Sequence, residues 1–320
     1  MASPIRGLSV FCVFAICLGI YSHCCRLQAQ SGTSLSASIP ELKHRAESGD
    51  LSAQSELGEF LMGVDPATDS YDAAMEWLRS AVAQSSSHAE FVLGYLYHHG
   101  HGVPQDYAQA AQYYQRAILH GHRIAPNNLA VLYQHGFGVP KDPVKALELF
   151  HTAAEQGNAA AQYNLAVAYS LGIGTPIDPY EAARWFRASA DLGYRSAQHA
   201  LGVLYCRGSG VPLDYFQAAN WFTRAARQGD PAAETDLGTL YENGRGVSLD
   251  YVAAYTWYYR AAVAGDSSGS SHLKNLAKIM TSKQLESAKA ILLAESPLSQ
   301  SAPDESPQSG KSDHKQRNRR

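Results

Sequence analysis

The sequence repeats itself every 36 residues, and this period restricts the possible folds more than any other feature of the chain. Alanine, leucine, tyrosine and glycine all recur at this interval, and no insertion or deletion interrupts the series. Two of the series are Ala53, Ala89, Ala125, Ala161, Ala197 and Ala233, and Leu57, Leu93, Leu129, Leu165, Leu201, Leu237 and Leu273. Self-similarity at a fixed period of roughly 20 to 50 residues predicts an array of stacked units rather than one globular core.

Each unit is predicted to be a hairpin of two α-helices. Ala89, Leu93 and Tyr97 follow one another at intervals of four residues, which places them in one apolar stripe along a first helix. A Gly-x-Gly pair such as Gly100 and Gly102 then ends this helix, because glycine tolerates a positive φ at a C-cap. Aspartates in the same register are predicted to cap the second helix, and these are Asp106, Asp142, Asp178, Asp214 and Asp250.

Such a hairpin cannot bury its apolar faces alone, so neighbouring hairpins are predicted to stack on one another. The predicted fold is therefore all-α: a right-handed α-solenoid of about six to seven helix-turn-helix repeats over residues 41–295. The small residue that follows each repeated leucine, such as Gly94, is predicted to let a neighbouring backbone approach closely. Residues 30–40 are predicted to be a linker. Residues 296–320 are almost entirely polar and are predicted to be a disordered tail.

One full repeat shows which known family the pattern resembles. The stretch from Ala197 to Val211 carries the first half, A-x-x-x-L-G-x-x-Y-x-x-G-x-G-V, and the stretch from Asp214 to Gly229 carries the second. This pattern strongly resembles the Sel1-like repeat family, which is related to tetratricopeptide repeats. The resemblance implies a non-catalytic adaptor whose concave surface gathers partner proteins or peptides. It also implies that the first helix of each hairpin lines that surface.

The family resemblance brings a second candidate function. One secreted branch of the family is associated with β-lactam binding and hydrolysis, and that branch carries paired cysteines in each repeat. This chain has a single cysteine in its repeats, Cys206, so we do not carry that activity over. An envelope hydrolase or a peptidoglycan or β-lactam binder of this secreted type remains the alternative to the adaptor.

The N-terminal segment predicts export. Arg6 is the only charged residue before an apolar run from Gly7 to Tyr21, and this run has the length of a signal-peptide core. Residues 1–29 are therefore predicted to be a signal peptide that is cleaved after Ala29. The predicted location is the periplasm or the cell exterior, or the ER lumen in a eukaryote. An uncleaved membrane anchor is the alternative.

The remaining patterns give no support for catalysis or nucleic-acid binding. The net charge is −3, whereas a general nucleic-acid binder is normally basic. The Gly-x-Gly turns follow a helix rather than a strand, so they are not phosphate loops. The repeated aspartates are explained by capping, and no nucleophile and base stand at a suitable spacing. We therefore predict that the chain is not an enzyme and uses no cofactor.

Histidines are concentrated between His88 and His151 and raise the question of a metal site. His99 and His135 share a repeat position, so they are predicted to lie about 10 Å apart in adjacent hairpins. That separation is too large for one ion that binds each imidazole at about 2.1 Å. No metal is predicted, and a zinc or nickel site or pH-sensitive binding by these histidines are the alternatives.

The predicted binding residues lie on first helices at positions that vary between repeats. Asparagine is prominent among them and can both donate to and accept from a peptide backbone. The alternative role of these side chains is to form hydrogen bonds between hairpins. We predict a protein or peptide partner that contacts Asn127, Asn128, Tyr163, Asn164, His99, His135 and Arg207.

Overall fold

A computed structural model describes residues 35–62 and 70–294. This part of the chain forms fifteen α-helices and contains no β-strand. The helices are α1 (Leu35–Glu47), α2 (Leu51–Met62), α3 (Ser70–Ala83), α4 (Ser87–His99), α5 (Tyr107–Leu119), α6 (Ala125–His135), α7 (Pro143–Glu155), α8 (Ala159–Leu171), α9 (Pro179–Asp191), α10 (Arg195–Arg207), α11 (Tyr215–Ala226), α12 (Pro231–Asn243), α13 (Tyr251–Val263), α14 (Ser267–Ile279) and α15 (Ser282–Ala294).

The helices alternate as the repeat predicts. First helices α8, α10 and α12 begin at Ala159, Arg195 and Pro231, in steps of 36 residues. Within the first of two compact units, which ends at Ala225, each first helix packs against the second helix of its hairpin in α2/α3, α4/α5, α6/α7 and α8/α9. Each of these second helices also packs against the next first helix. In the second unit, α12 packs against α13, and α13 packs against α14 and α15. The predicted all-helical repeat solenoid is confirmed.

Helix α1 packs on the first hairpin and begins earlier than predicted. The linker predicted for residues 30–40 is helical from Leu35 onward. Ala46 is buried in one apolar cluster with Ala53 and Leu57 of α2, and this packing holds α1 against the array. The predicted signal peptide and the predicted polar tail lie outside the described residues. Among the described helices, none has the length and apolar character that crossing a membrane requires.

The predicted helix caps are confirmed. Asp106 Oδ1 accepts the backbone N–H groups of Ala108 and Gln109 at 2.9 and 3.0 Å, which satisfies two of the unpaired amides at the start of α5. The other predicted aspartates accept amides in the same way. Each Gly-x-Gly turn begins at a left-handed glycine, such as Gly100 with φ 69°. Local chemistry therefore sets both ends of the connection inside each hairpin.

The second glycine of the turn contacts the preceding hairpin at Gly138, Gly174 and Gly210. Gly174 has φ 71°, and a Cβ there would overlap the carbonyl oxygen of Pro143, the first residue of α7. A Cβ on Gly138 would likewise overlap the backbone of Tyr107 at the start of α5. The turn therefore lies directly on the start of the previous second helix, backbone against backbone.

The small residue after the repeated leucine has a different neighbour from the predicted one. A Cβ on Gly94 would lie 2.7 Å from the ring of Tyr114, and one on Gly238 would lie 2.7 Å from the ring of Tyr258. The neighbour at these glycines is thus an aromatic ring of the second helix, so the prediction of close backbone approach is wrong there. The ring needs this space because Tyr114 and Tyr258 are fully buried.

Candidate partner-binding surface

The predicted binding residues all lie on first helices, but their exposure differs. We call the solvent side of α4, α6, α8 and α10 the first-helix face. Asn128, Asn164 and His99 are half-buried on this face, whereas His135 and Arg207 are exposed at the ends of their helices. Asn127 and Tyr163 are buried, with 2% and 8% of their surface exposed.

The three asparagines are joined by hydrogen bonds. Asn164 Nδ2 donates to Asn127 Oδ1 at 3.0 Å, and Asn127 Nδ2 donates to Asn128 Oδ1 at 3.2 Å. Asn128 Nδ2 then donates to the hydroxyl oxygen of Tyr114 at 3.4 Å, and this oxygen lies 3.3 Å from His98 Nδ1. We call this chain of five side chains the amide ladder. It links three consecutive hairpins, so these asparagines do form the hydrogen bonds between hairpins that the alternative role required.

The amide ladder retains hydrogen-bonding capacity at its half-buried members. An asparagine side chain offers two N–H donors and an acceptor oxygen with two lone pairs. Asn128 uses one of its N–H groups, and no described residue donates to Asn164 Oδ1. A donor and an acceptor therefore remain on adjacent hairpins of the first-helix face.

Tyr163 lies in the packing between hairpins. Its ring centroid lies 5.6 Å from that of Phe186 and 5.3 Å from that of Tyr194. Arg207 is the last residue of α10, where a positive charge interacts favourably with the C-terminal end of the helix dipole. The structure thus brings the asparagines together, packs Tyr163 against Phe186 and Tyr194, and places Arg207 at the end of α10.

A second feature of this face is a continuous group of aromatic and imidazole rings. All of them come from α4 and the turn that follows it, from the start of α5, or from the end of α6 and the turn that follows it. Neighbouring ring centroids lie 4.3 to 6.0 Å apart. We call this group the ring array, and its members are Tyr95, His98, His99, His101, Tyr107, His135 and Phe137.

Three imidazoles of the ring array, those of His98, His99 and His135, are neutral at pH 7. Burial, with a smaller effect of the neighbouring His99, lowers the pKa of His98 to about 4. Burial, with a smaller effect of His101, lowers the pKa of His99 to about 4. Burial and then Lys141 lower the pKa of His135. The rings of His98, His99 and His135 are therefore uncharged, and His99 and His135 belong to the predicted site.

The ring geometry does not suit a metal ion. His98 and His99 stack with centroids 4.5 Å apart and ring planes 2° apart, so their nitrogens do not converge on one point. Within residues 35–62 and 70–294, no group of three or more histidine, cysteine, aspartate or glutamate side chains is arranged to hold a metal.

The second unit holds a polar contact at the repeat position equivalent to Tyr114. The hydroxyl of the fully buried Tyr258 donates to Glu242 Oε2 at 2.6 Å, and Thr239 Oγ1 lies 3.1 Å away. His272 stacks on the same ring with centroids 4.9 Å apart. Burial and then the bond to Glu242 raise the pKa of Tyr258. Sequence reasoning missed this contact, although its signal was a tyrosine where other repeats carry Phe150, Phe186 and Phe222.

A buried carboxylate is a further group that sequence reasoning missed. Glu90 of α4 is fully buried, and its Oε2 lies 2.6 Å from His120 Nδ1. Arg116 Nη2 lies 2.9 Å from Oε1 in an ion pair that is not aligned as a hydrogen bond. The signal in the sequence was a glutamate at a repeat position where other repeats carry a glutamine, such as Gln54 and Gln162.

Stacked helical hairpins with aspartate-capped second helices and Gly-x-Gly turns define an α-solenoid repeat protein, a class that presents extended binding surfaces. The chain belongs to the Sel1 repeat family. Its residues match the Sel1 repeat six times, at 51–86, 87–122, 125–158, 159–194, 195–230 and 231–266.

Solved structures agree with this assignment. The chain is similar to c5321, a protective antigen present in uropathogenic Escherichia coli strains displaying an SLR fold, with 35% identity and a TM-score of 0.71. The match covers 78% of this chain and 54% of that protein, so this chain spans about half of its length. It is also similar to a Sel1 repeat protein from Oxalobacter formigenes, with 31% identity, a TM-score of 0.61, and coverage of 70% of this chain and 93% of that one. No curated protein matches the chain.

Proposed function

We propose that the chain is an exported, non-catalytic scaffold that binds a partner protein or peptide along the first-helix face. Sel1 repeat proteins are generally protein-interaction scaffolds. A stack of hairpins offers a preformed surface, so the scaffold loses little conformational entropy when a partner binds there.

The observation that carries this proposal is the amide ladder. Asn128 keeps one N–H group and Asn164 keeps its Oδ1 on neighbouring hairpins, while their other polar atoms are held by hydrogen bonds. Side chains that are fixed in this way lose little conformational freedom when a ligand binds. A spare donor followed by a spare acceptor suits the alternating C=O and N–H groups of an extended main chain.

The polar groups on and behind this face support a non-catalytic role. Asp106 and the equivalent aspartates accept backbone amides as helix caps. The buried Glu90 is paired with His120 and Arg116. Each of these carboxylates therefore already has a structural role, and none needs a role as a general acid or base to explain its position.

Export is supported by the N-terminal sequence, in which Arg6 precedes the apolar run from Gly7 to Tyr21. We expect the mature chain to begin at Gln30. N-terminal sequencing of chain recovered from the extracytoplasmic fraction of the native cells tests this expectation. An intact N-terminus together with recovery from membranes would instead indicate an uncleaved anchor.

The binding proposal is tested by affinity capture from native cells, followed by mass spectrometry. The double variant Asn128→Ala/Asn164→Ala removes the spare amide groups. Asn220→Ala is the matched control, because Asn220 is an exposed asparagine on the second helix α11. We expect the partner to be captured by the wild type and the control and to be lost with the double variant. Equal capture by all three chains would show that the partner binds elsewhere, and capture of no protein would overturn the scaffold.

A further inference from the structure

The ring array differs from the rest of the first-helix face in being rich in exposed rings. Phe137 is 39% exposed, and His101 and His135 are also exposed. The rings come from two consecutive hairpins and form one surface, because Tyr107 of one hairpin stacks on Phe137 of the next with centroids 4.9 Å apart. An exposed surface of touching rings is a place for a partner to bind.

The charge of this surface indicates which partner it suits. Two of its histidines, His98 and His99, are uncharged at neutral pH because burial lowers the pKa of each to about 4. Lys141 lies near His135, and the carboxylate of the neighbouring Asp106 is engaged with backbone amides. A strongly acidic or basic segment would therefore find few opposite charges here. An uncharged segment with apolar rings matches the surface better.

The spacing of the hairpins adds a second criterion. Packed helices usually lie 8 to about 10 Å apart, so we expect one stacked hairpin to follow the next at about that distance. A polyproline II helix has three residues per turn and advances about 9.3 Å per turn. A segment in this conformation that runs across α4 and α6 therefore presents the same face to each hairpin in turn.

The hydrogen-bonding groups beside the array fit the same conformation. A polyproline II helix makes no internal hydrogen bonds, so its carbonyl groups need donors from water or from a binding partner. The spare N–H of Asn128 is such a donor, and the amide ladder joins Asn128 through Tyr114 to His98 of the array. Aromatic surfaces that combine ring stacking with a few donors are a recurrent way to bind proline-rich segments.

We propose that the ring array binds a proline-rich segment of the partner in the polyproline II conformation. This inference rests on the proposed scaffold function and names the chemistry of its partner. Proline rings stack on Phe137, Tyr107 and the imidazoles, and the carbonyl groups between them accept hydrogen bonds from the neighbouring amide.

The test measures fluorescence anisotropy of a labelled polyproline peptide and of a Gly/Ser peptide of the same length, each titrated with the full mature chain at pH 7. The variants are Phe137→Ala, which removes an exposed ring of the array, and Phe137→Tyr, which keeps the ring. Phe216→Ala is the matched control, because Phe216 is 60% exposed on α11 outside the array. Far-UV circular dichroism verifies that each variant is folded.

We expect the wild type to prefer the polyproline peptide. We expect Phe137→Ala to weaken its binding by about fivefold to tenfold, from the usual strength of an aromatic contact. Phe137→Tyr and Phe216→Ala should bind as the wild type does. Equal affinity for the two peptides, or unchanged binding by Phe137→Ala, would overturn the inference. Binding of a neutral oligosaccharide but not of polyproline would overturn it in favour of a glycan partner.

The capture experiment separates failure of this inference from failure of the scaffold. If a partner is captured through Asn128 and Asn164 while polyproline does not bind, the scaffold stands and the proposed partner chemistry is wrong. If no partner is captured and polyproline does not bind, both proposals fall.

Discussion

His120 Nδ1 lies 2.6 Å from Oε2 of Glu90, a carboxylate with no exposed side-chain surface. In three other repeats the residue equivalent to Glu90 is a glutamine that donates to the carbonyl of the preceding helix, as Gln162 Nε2 does to Ala154 O at 3.1 Å. A carboxylate cannot donate such a bond, so Glu90 instead pairs with cationic or donor groups from the second helix of its own hairpin. The repeat thus accommodates a buried carboxyl group at a position where three other repeats carry a neutral amide.

The first prediction concerns this pair. The double variant Arg116→Ala/His120→Ala leaves the Glu90 carboxylate buried without partners, and we expect it to lower the free energy of unfolding by about 2 kcal/mol. Adding Glu90→Gln to that background should recover most of the loss, because a neutral amide can bond the preceding carbonyl as Gln162 does. Urea unfolding followed by circular dichroism measures both. Equal stability of the double and triple variants would contradict this account.

The second prediction concerns pH. Burial lowers the pKa of His98 and His99 from 6.5 to about 4, so below pH 6.5 the unfolded chain binds protons that the folded chain does not. The contribution of these two neutral imidazoles to the free energy of unfolding is therefore fully present above pH 6.5, and it is lost as the pH falls toward 4. Thermal unfolding midpoints recorded across this range should fall with pH. The decrease of the midpoint with falling pH should be smaller in His99→Gln than in the wild type. An equal decrease in that variant would show that other groups cause the pH dependence.

The third prediction compares two glycines with left-handed backbone. Gly157 has φ 82° and open space around its Cβ position, whereas a Cβ on Gly174 would overlap Pro143 O. We expect Gly157→Ala to cost about 1 kcal/mol, from the strain of a positive φ alone. Gly174→Ala should cost about 3 kcal/mol or more, because the turn must also move away from α7. Chemical unfolding of the two variants side by side measures the two losses of unfolding free energy. Similar losses would show that the turn moves away from α7 at little energetic cost.

The fourth prediction concerns the amide ladder. Asn127 is 2% exposed and bonds both Asn164 and Asn128, so Asn127→Ala leaves two partners unsatisfied. We expect a loss of about 2 kcal/mol in unfolding free energy. Asn220→Ala, at an exposed position, should change it by less than about 0.5 kcal/mol. If Asn127→Ala were as mild as its control, the ladder would contribute nothing to stability.

Much of the fold follows from the sequence because its determinants are local. Asp106 caps α5 through amides two and three residues away, and Gly100 ends α4 through its own φ. Such features depend on neighbours along the chain, and the 36-residue register repeats them. The neighbour of Gly94 could not be predicted in the same way, because it depends on which face of α5 turns toward α4.

The candidate site was only partly predictable for the same reason. Variation between repeats singled out Asn128 and Asn164, but their link through the buried Asn127 depends on side-chain rotamers across two hairpins. His99 and His135 were also singled out, yet the rings that connect them come from Tyr107 and Phe137, one at a helix start and one in a turn. Register alone does not show which turn residues meet those of the next repeat.

The contact between a turn and the preceding hairpin, present at Gly138, Gly174 and Gly210, has a consequence for how such a chain changes over generations. Gly174 meets Pro143, and Gly138 meets Tyr107, through main-chain atoms that every hairpin possesses. A junction of this kind does not depend on which side chains its neighbours carry. Duplication or loss of one whole unit therefore rebuilds the same junction on both sides. Array length can change by a single genetic event, while each hairpin diversifies its outward residues independently.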